Sequence, residues 1–123
     1  MTHSSAKVIF GGGVFVTSSD EFSKPENIAQ VLDAIEGHGI KTIDTANAYA
    51  QCEEVLGQAN ATARFTVDTK YPGGMSQKLS TREVVVASAR ESLQALRTKS
   101  VRIYLLQQGL ERKFTRLLKS DSY

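Results

Sequence analysis

Apolar positions along this chain follow two alternating spacings. Four short runs rich in β-branched and aromatic residues, "KVIF" (7–10), "KTID" (41–44), "RFTVDTK" (64–70) and "VRIYLLQ" (101–107), read as buried strands. Between them apolar residues recur every three or four positions, the spacing of one helix face. Over 23–40, Ile28, Val31, Leu32 and Ile35 form such a stripe. Ser23 with Glu26 has the spacing of a capping box, Pro25 falls in the first turn, and Gly37 and Gly39 stop the helix. A shorter helix is predicted over 51–59 and a longer one over 80–96. In the longer one Ser80 and Glu83 repeat the capping spacing, and Val85, Ala89, Ser92, Leu93 and Leu96 make the inner face. A last helix is predicted over 110–119, with Leu110, Phe114, Leu117 and Leu118 on one side and basic residues on the other.

The predicted order, strand then helix four times, is the pattern of a parallel sheet with crossover helices. Two α/β architectures share it: an open doubly wound sheet and a piece of a (β/α) barrel. Four units are half of the eight in a closed barrel, and 123 residues are about half of the ~250 typical of one.

Composition narrows the class without changing it. With 41% apolar and 23% charged residues the chain is ordinary globular protein, long enough for one modest domain. Net charge is +2, so bulk electrostatics favours no partner. The charge is unevenly placed: residues 97–123 carry +5 and residues 1–96 carry −3. A basic end suits nucleic acid or an anionic membrane surface, but more often it is a solvated face. No nucleic-acid or membrane partner is expected. Cys52 is the one cysteine, which excludes an intrachain disulfide and fits a reducing compartment. No apolar run approaches the ~20 residues that span a bilayer. The opening "MTHSSAKVIF" lacks the form of a secretory signal. A cytoplasmic protein is expected.

Candidate chemistry falls at strand ends, where α/β folds keep their working residues. The first strand runs into Gly11, Gly12 and Gly13, but no G-K-[ST] or G-x-G-x-x-G follows, so a close backbone approach or turn is favoured over a phosphate cradle. His38 lies between two helix-ending glycines and has no second histidine beside it, so no metal site is expected. Asp44 closes the second strand, Tyr49 follows five residues later and Lys70 closes the third strand. On neighbouring parallel strands the three side chains meet above one rim. A cation beside a phenol favours the phenolate, and a carboxylate holds that cation charged and aimed, which suits the phenol to general acid work on a carbonyl oxygen. A buried Asp–Lys pair beside a packed tyrosine accounts equally well for the spacing. Asp68, two residues before Lys70, shares its strand face and either steadies Lys70 or balances it.

The stretch "DTANAYAQCEEVLG" (44–57) resembles the aldo-keto reductase signature at Asp44, Thr45, Ala46, Tyr49, Glu53, Leu56 and Gly57, and "VDTK" resembles that family's third strand with its terminal lysine. The match runs to about residue 106 and looks most like the branch of aflatoxin-aldehyde reductases and related fungal reductases. The resemblance implies about half of a TIM-type (β/α)8 barrel with a divergent C-terminal helix: one partial domain over 1–123, family-like to 106 and divergent over 107–123. It implies NADPH-dependent reduction of an aldehyde or ketone to an alcohol, in a small-molecule or secondary-metabolite pathway, without a metal. By the same resemblance Tyr49 is the proton donor and Lys70 the cation that activates it. Asp44 is the acid paired with that lysine, near the nicotinamide end of the cofactor. Cys52 replaces a serine usual in the motif and is read as an inert thiol.

Two departures qualify that reading. Gln107 stands where the family has a substrate-facing histidine; its amide can donate a hydrogen bond to a carbonyl oxygen but cannot titrate. The family keeps most of its nucleotide grip in the second half of the barrel, and the segment after Gln107 no longer resembles it. A truncated reductase without turnover, acting if at all as an interaction fragment, is therefore the alternative to an active enzyme. Half a barrel also leaves open sheet edges, which invite self-association.

Overall fold

A computed structural model describes residues 6–16, 24–75 and 79–108. It places four parallel strands in one sheet, in chain order: β1 (Phe10–Gly11), β2 (Thr42–Asp44), β3 (Thr66–Tyr71) and β4 (Ile103–Leu106). The helices α1 (Pro25–Gly37), α2 (Cys52–Gln58) and α3 (Arg82–Ala95) are the crossovers. Each new strand joins beside the previous one, with no reversal of order. That is how a barrel wall grows and excludes the doubly wound alternative, whose order turns back at a switch point. The architecture is α/β, a partial TIM-type barrel. The last predicted helix, over 110–119, lies outside the described residues.

One face of the sheet is dry and the other open. Ile43 of β2 pairs with Val67 of β3, and both are buried under the helices. Phe15, Ile28, Leu32, Ile35, Leu56, Phe65 and Leu96 complete that core. Thr69 and Tyr71 share the helix-covered face by alternation, and both are buried. On the opposite, concave face lie Asp44, Asp68 and Lys70, with Ile103 and Leu105 of β4 beside them in register. Ile103 is 40% exposed and Leu105 43%, since four strands do not enclose that face.

Local chemistry moved several ends by one to three residues. The first strand starts at Phe10 rather than at Lys7. In α1 the stripe residues Ile28, Leu32 and Ile35 are buried and Val31 is half-buried, with Pro25 in the first turn. The N-cap is Lys24, without a side-chain cap bond, and the expected cap Ser23 lies outside the described residues. The helix stops at His38, whose Nδ1 bonds the Ala34 carbonyl at 2.7 Å, and Gly39 takes the left-handed turn at φ 77°. The cap of α3 is Thr81, not Ser80: its hydroxyl accepts the Val84 N–H at 3.3 Å. Ser80 is instead taken by the hydroxyl of Tyr71 at 2.8 Å. Along α3 only Ser92 and Leu96 of the predicted inner face are buried, and Val85, Ala89 and Leu93 are half-buried. At the opposite end of the sheet, Arg64 ties the start of β3 to α1 through Asp33 and Glu36.

Candidate active site

The loop after β2 folds tightly across the strand ends. Thr45 N–H donates to the Asp68 carbonyl at 2.8 Å, and Asn47 N–H to the Lys70 carbonyl at 3.4 Å. The backbone then turns through Ala50, with φ at 40°, into α2. This brings Asp44, Tyr49 and Lys70 together. Lys70 Nζ donates to Asp44 Oδ2 at 2.6 Å and to the Thr45 carbonyl at 2.8 Å. It also lies 5.2 Å from the centroid of the Tyr49 ring, within cation–π range. The Lys70 side chain is 14% exposed and Asp44 30%, so the pair is screened less than a surface pair.

Asp68 has a different partner from the one expected. Although it shares the concave face with Lys70, both of its oxygens accept from Arg102, at 2.9 Å from Nε and 2.5 Å from Nη2. That hydrogen-bonded pairing also holds the Arg102 guanidinium above its ordinary range. Sequence spacing gave no sign of it, because Arg102 is 34 residues away and lies just before β4.

Three contacts around the rim were not foreseen. Glu53, buried in the first turn of α2, accepts from the buried Thr69 hydroxyl at 2.5 Å and so struts the helix against β3. Thr45 donates its hydroxyl to Cys52 Sγ at 3.1 Å, and the thiol donates to the Gly12 carbonyl at 3.1 Å. Gly12 is a point of close approach: a Cβ there would lie 2.9 Å from the Asp44 carbonyl oxygen. The matched motif contained Thr45 and Glu53, but spacing does not reveal what they touch.

Gln107 follows β4 at the same end of the sheet, its N–H bonded to the Tyr71 carbonyl at 2.9 Å. Its Oε1 is buried and has no hydrogen-bond partner among the described residues. Two hollows of about 480 and 360 Å³ lie elsewhere, against α3, and both are lined by Asn47 and Glu91. Neither is lined by Asp44, Tyr49 or Lys70. Among the described residues no three His, Cys, Asp or Glu side chains gather as a metal site, and no helix is long and apolar enough to cross a membrane.

Fold and rim together define a parallel β/α barrel segment with a Tyr–Lys–Asp cluster at the carboxyl ends of its strands. The profile of the Aldo/keto reductase family matches residues 7–108, and the chain belongs to that family. No curated protein matches it. Among solved structures it is similar to a Pseudomonas aeruginosa protein assigned as an aldo-keto reductase (TM-score 0.67, 21% identity, 94% of this chain and 51% of that one). It is also similar to an aldo/keto reductase from Brucella melitensis (TM-score 0.57, 23% identity, 91% and 44%). A third is assigned as a 2,5-diketo-D-gluconic acid reductase B (TM-score 0.54, 25% identity, 81% and 33%). The chain thus spans about half or less of each of these proteins.

Proposed function

We propose that this chain carries the proton-donating end of an NADPH-dependent oxidoreductase that reduces an aldehyde or ketone to an alcohol. The observation that carries the reading is the Lys70 ammonium, held by the Asp44 carboxylate and the Thr45 carbonyl and set over the Tyr49 ring. In this reading the Tyr49 hydroxyl gives its proton to the substrate carbonyl oxygen. Lys70 stabilises the phenolate left behind, and Asp44 keeps Lys70 charged and aimed. Gln107 orients the substrate as a neutral hydrogen-bond group. NADPH, when bound, supplies the hydride.

In this reading Asp44 stands at the nicotinamide end of that cofactor. The one cation of the cluster, Lys70, is already engaged, so the phosphates need a grip from outside it. We extend the proposal, on the 44–57 motif, to the aflatoxin-aldehyde-reductase-like branch and to secondary metabolism, and, on the single cysteine, to a cytoplasmic setting. The partial domain is read as 1–123, family-like to 106 and divergent beyond.

The test is loss of cofactor absorbance with a reactive aldehyde, measured for the natural chain and for Tyr49→Phe. Turnover that Tyr49→Phe abolishes supports the reading; absence of cofactor binding at millimolar concentration overturns it for this chain. The exposure of Ile103, Leu105 and Leu106 on β4 favours a second reading, a non-catalytic chain that self-associates through its open sheet. Size-exclusion chromatography distinguishes the two: a monomer with turnover dismisses the second.

A further inference from the structure

We propose that Cys52 is a positioning residue for Lys70 and Tyr49, its thiol being the middle member of a buried hydrogen-bond chain that locks the loop after β2 to the loop after β1. The proposal rests on the reading of Tyr49 and Lys70 given above.

The chain runs Thr45 hydroxyl to Cys52 Sγ, then thiol to Gly12 carbonyl, each step 3.1 Å. Thr45 and Cys52 have no exposed surface, so water cannot replace either bond. Both ends of the chain belong to the rim. The carbonyl of Thr45 is a ligand of the Lys70 ammonium, so fixing the Thr45 side chain fixes an acceptor that Lys70 uses. Gly12 precedes Gly13, which lies against the phenol ring: a Cβ on Gly13 would sit 3.7 Å from Tyr49 Cε2. The Cys52 N–H completes the set by donating to the Tyr49 carbonyl at 2.8 Å. One residue therefore touches the segment holding Lys70, the segment backing Tyr49 and Tyr49 itself. To donate, the thiol must keep its proton. Burial, opposed by the hydrogen bond from Thr45, pushes it up to about 11, so the S–H persists at neutral pH.

A side chain that merely fills space would tolerate loss of its polar atom; a link in a chain would not. Serine keeps a donor and an acceptor at this position, and alanine keeps neither. The experiment compares natural protein, Cys52→Ser, Cys52→Ala and Thr45→Val. It reads the Tyr49 ring signal by tyrosine-selective isotope-labelling NMR, assigned with Tyr49→Phe, and it reads kcat and KM. Cys52→Ala and Thr45→Val are expected to shift the Tyr49 signal and lower kcat roughly tenfold or more, as small misplacements of catalytic groups do, with KM little changed. Cys52→Ser is expected to restore both. A folded Cys52→Ala with the natural signal and kcat overturns the proposal, as does a Cys52→Ser that behaves like alanine. Should Cys52→Ala fail to fold, an unshifted Tyr49 signal in Thr45→Val overturns it. The ring signal is readable without turnover, so an inactive natural protein counts against the reductase reading and leaves this test in force.

Discussion

Lys70 reaches across to Asp44 on the neighbouring strand, at 2.6 Å, although Asp68 lies on its own strand face. The choice follows from Arg102, which takes both oxygens of Asp68 and leaves Asp44 as the carboxylate for the ammonium. Two ion pairs thus share the concave face without exchanging partners.

The division of labour predicts unequal losses. Lys70→Met removes the cation beside the phenol and is expected to lower kcat on the order of 10²–10³, within the range of general acid–base contributions. Asp44→Asn leaves the Thr45 carbonyl on Lys70 and is expected to cost less. Steady-state kinetics of both variants check this; a larger loss in Asp44→Asn would reverse the assigned roles.

Alkaline pH should weaken the fold through Cys52. The thiol's ordinary value of 9.0 applies to the unfolded chain, and the buried thiol lies at about 11. The folded state therefore binds the extra proton between those values. The contribution is full below pH 9 and is lost as pH rises toward 11, about 2–3 kcal/mol in all. Urea unfolding from pH 8 to 11 should show a steeper decline in the natural protein than in Cys52→Ser. Parallel curves would show that the thiol is not sealed in the fold.

Gly57 in α2 should resist replacement. A Cβ there would lie 2.0 Å from the Ala95 carbonyl oxygen, and backbone cannot yield as a flexible side chain does. Alanine improves helix propensity by about 1 kcal/mol, but overpacking of this kind costs about 1–3 kcal/mol or more, so the clash wins. Gly57→Ala is expected to lower the urea midpoint. A raised midpoint would mean that α2 and α3 separate freely.

Ala50 should behave in the opposite sense. Its left-handed backbone, φ 40°, costs an L-residue about 1–2 kcal/mol, and its side chain is exposed. Glycine removes that strain but gives the unfolded chain more freedom, worth about 0.4–1 kcal/mol. Ala50→Gly is expected to stabilise by about 0.5–1 kcal/mol by that difference. Equilibrium unfolding measures it, and a loss of stability would contradict the strain.

What the sequence made legible was periodic or local. The stripe of Ile28, Leu32 and Ile35 and the β/α order follow from repeated spacings that burial enforces. The proximity of Asp44, Tyr49 and Lys70 was readable because Asp44 ends β2, Lys70 lies one residue short of the end of β3, where Tyr71 rather than Lys70 closes the strand, and Tyr49 lies in the loop after β2. Contacts set by strand register were not readable. Arg102 with Asp68, and Thr69 with Glu53, depend on which residues oppose one another across β3, β4 and α2. The capping of α3 was misread by one residue because Ser80 and Thr81 are both able caps, and Tyr71 claims Ser80.

Leu105 stands beside Lys70 across the β3–β4 ladder, on the concave face, with nearly half its surface in water. Whatever comes to rest on that leucine also strips solvent from the neighbouring ammonium and carboxylate. Their field at the Tyr49 ring then grows as the local dielectric falls. Sealing the inner wall and sharpening the electrostatics of the cluster are, by geometry, a single event.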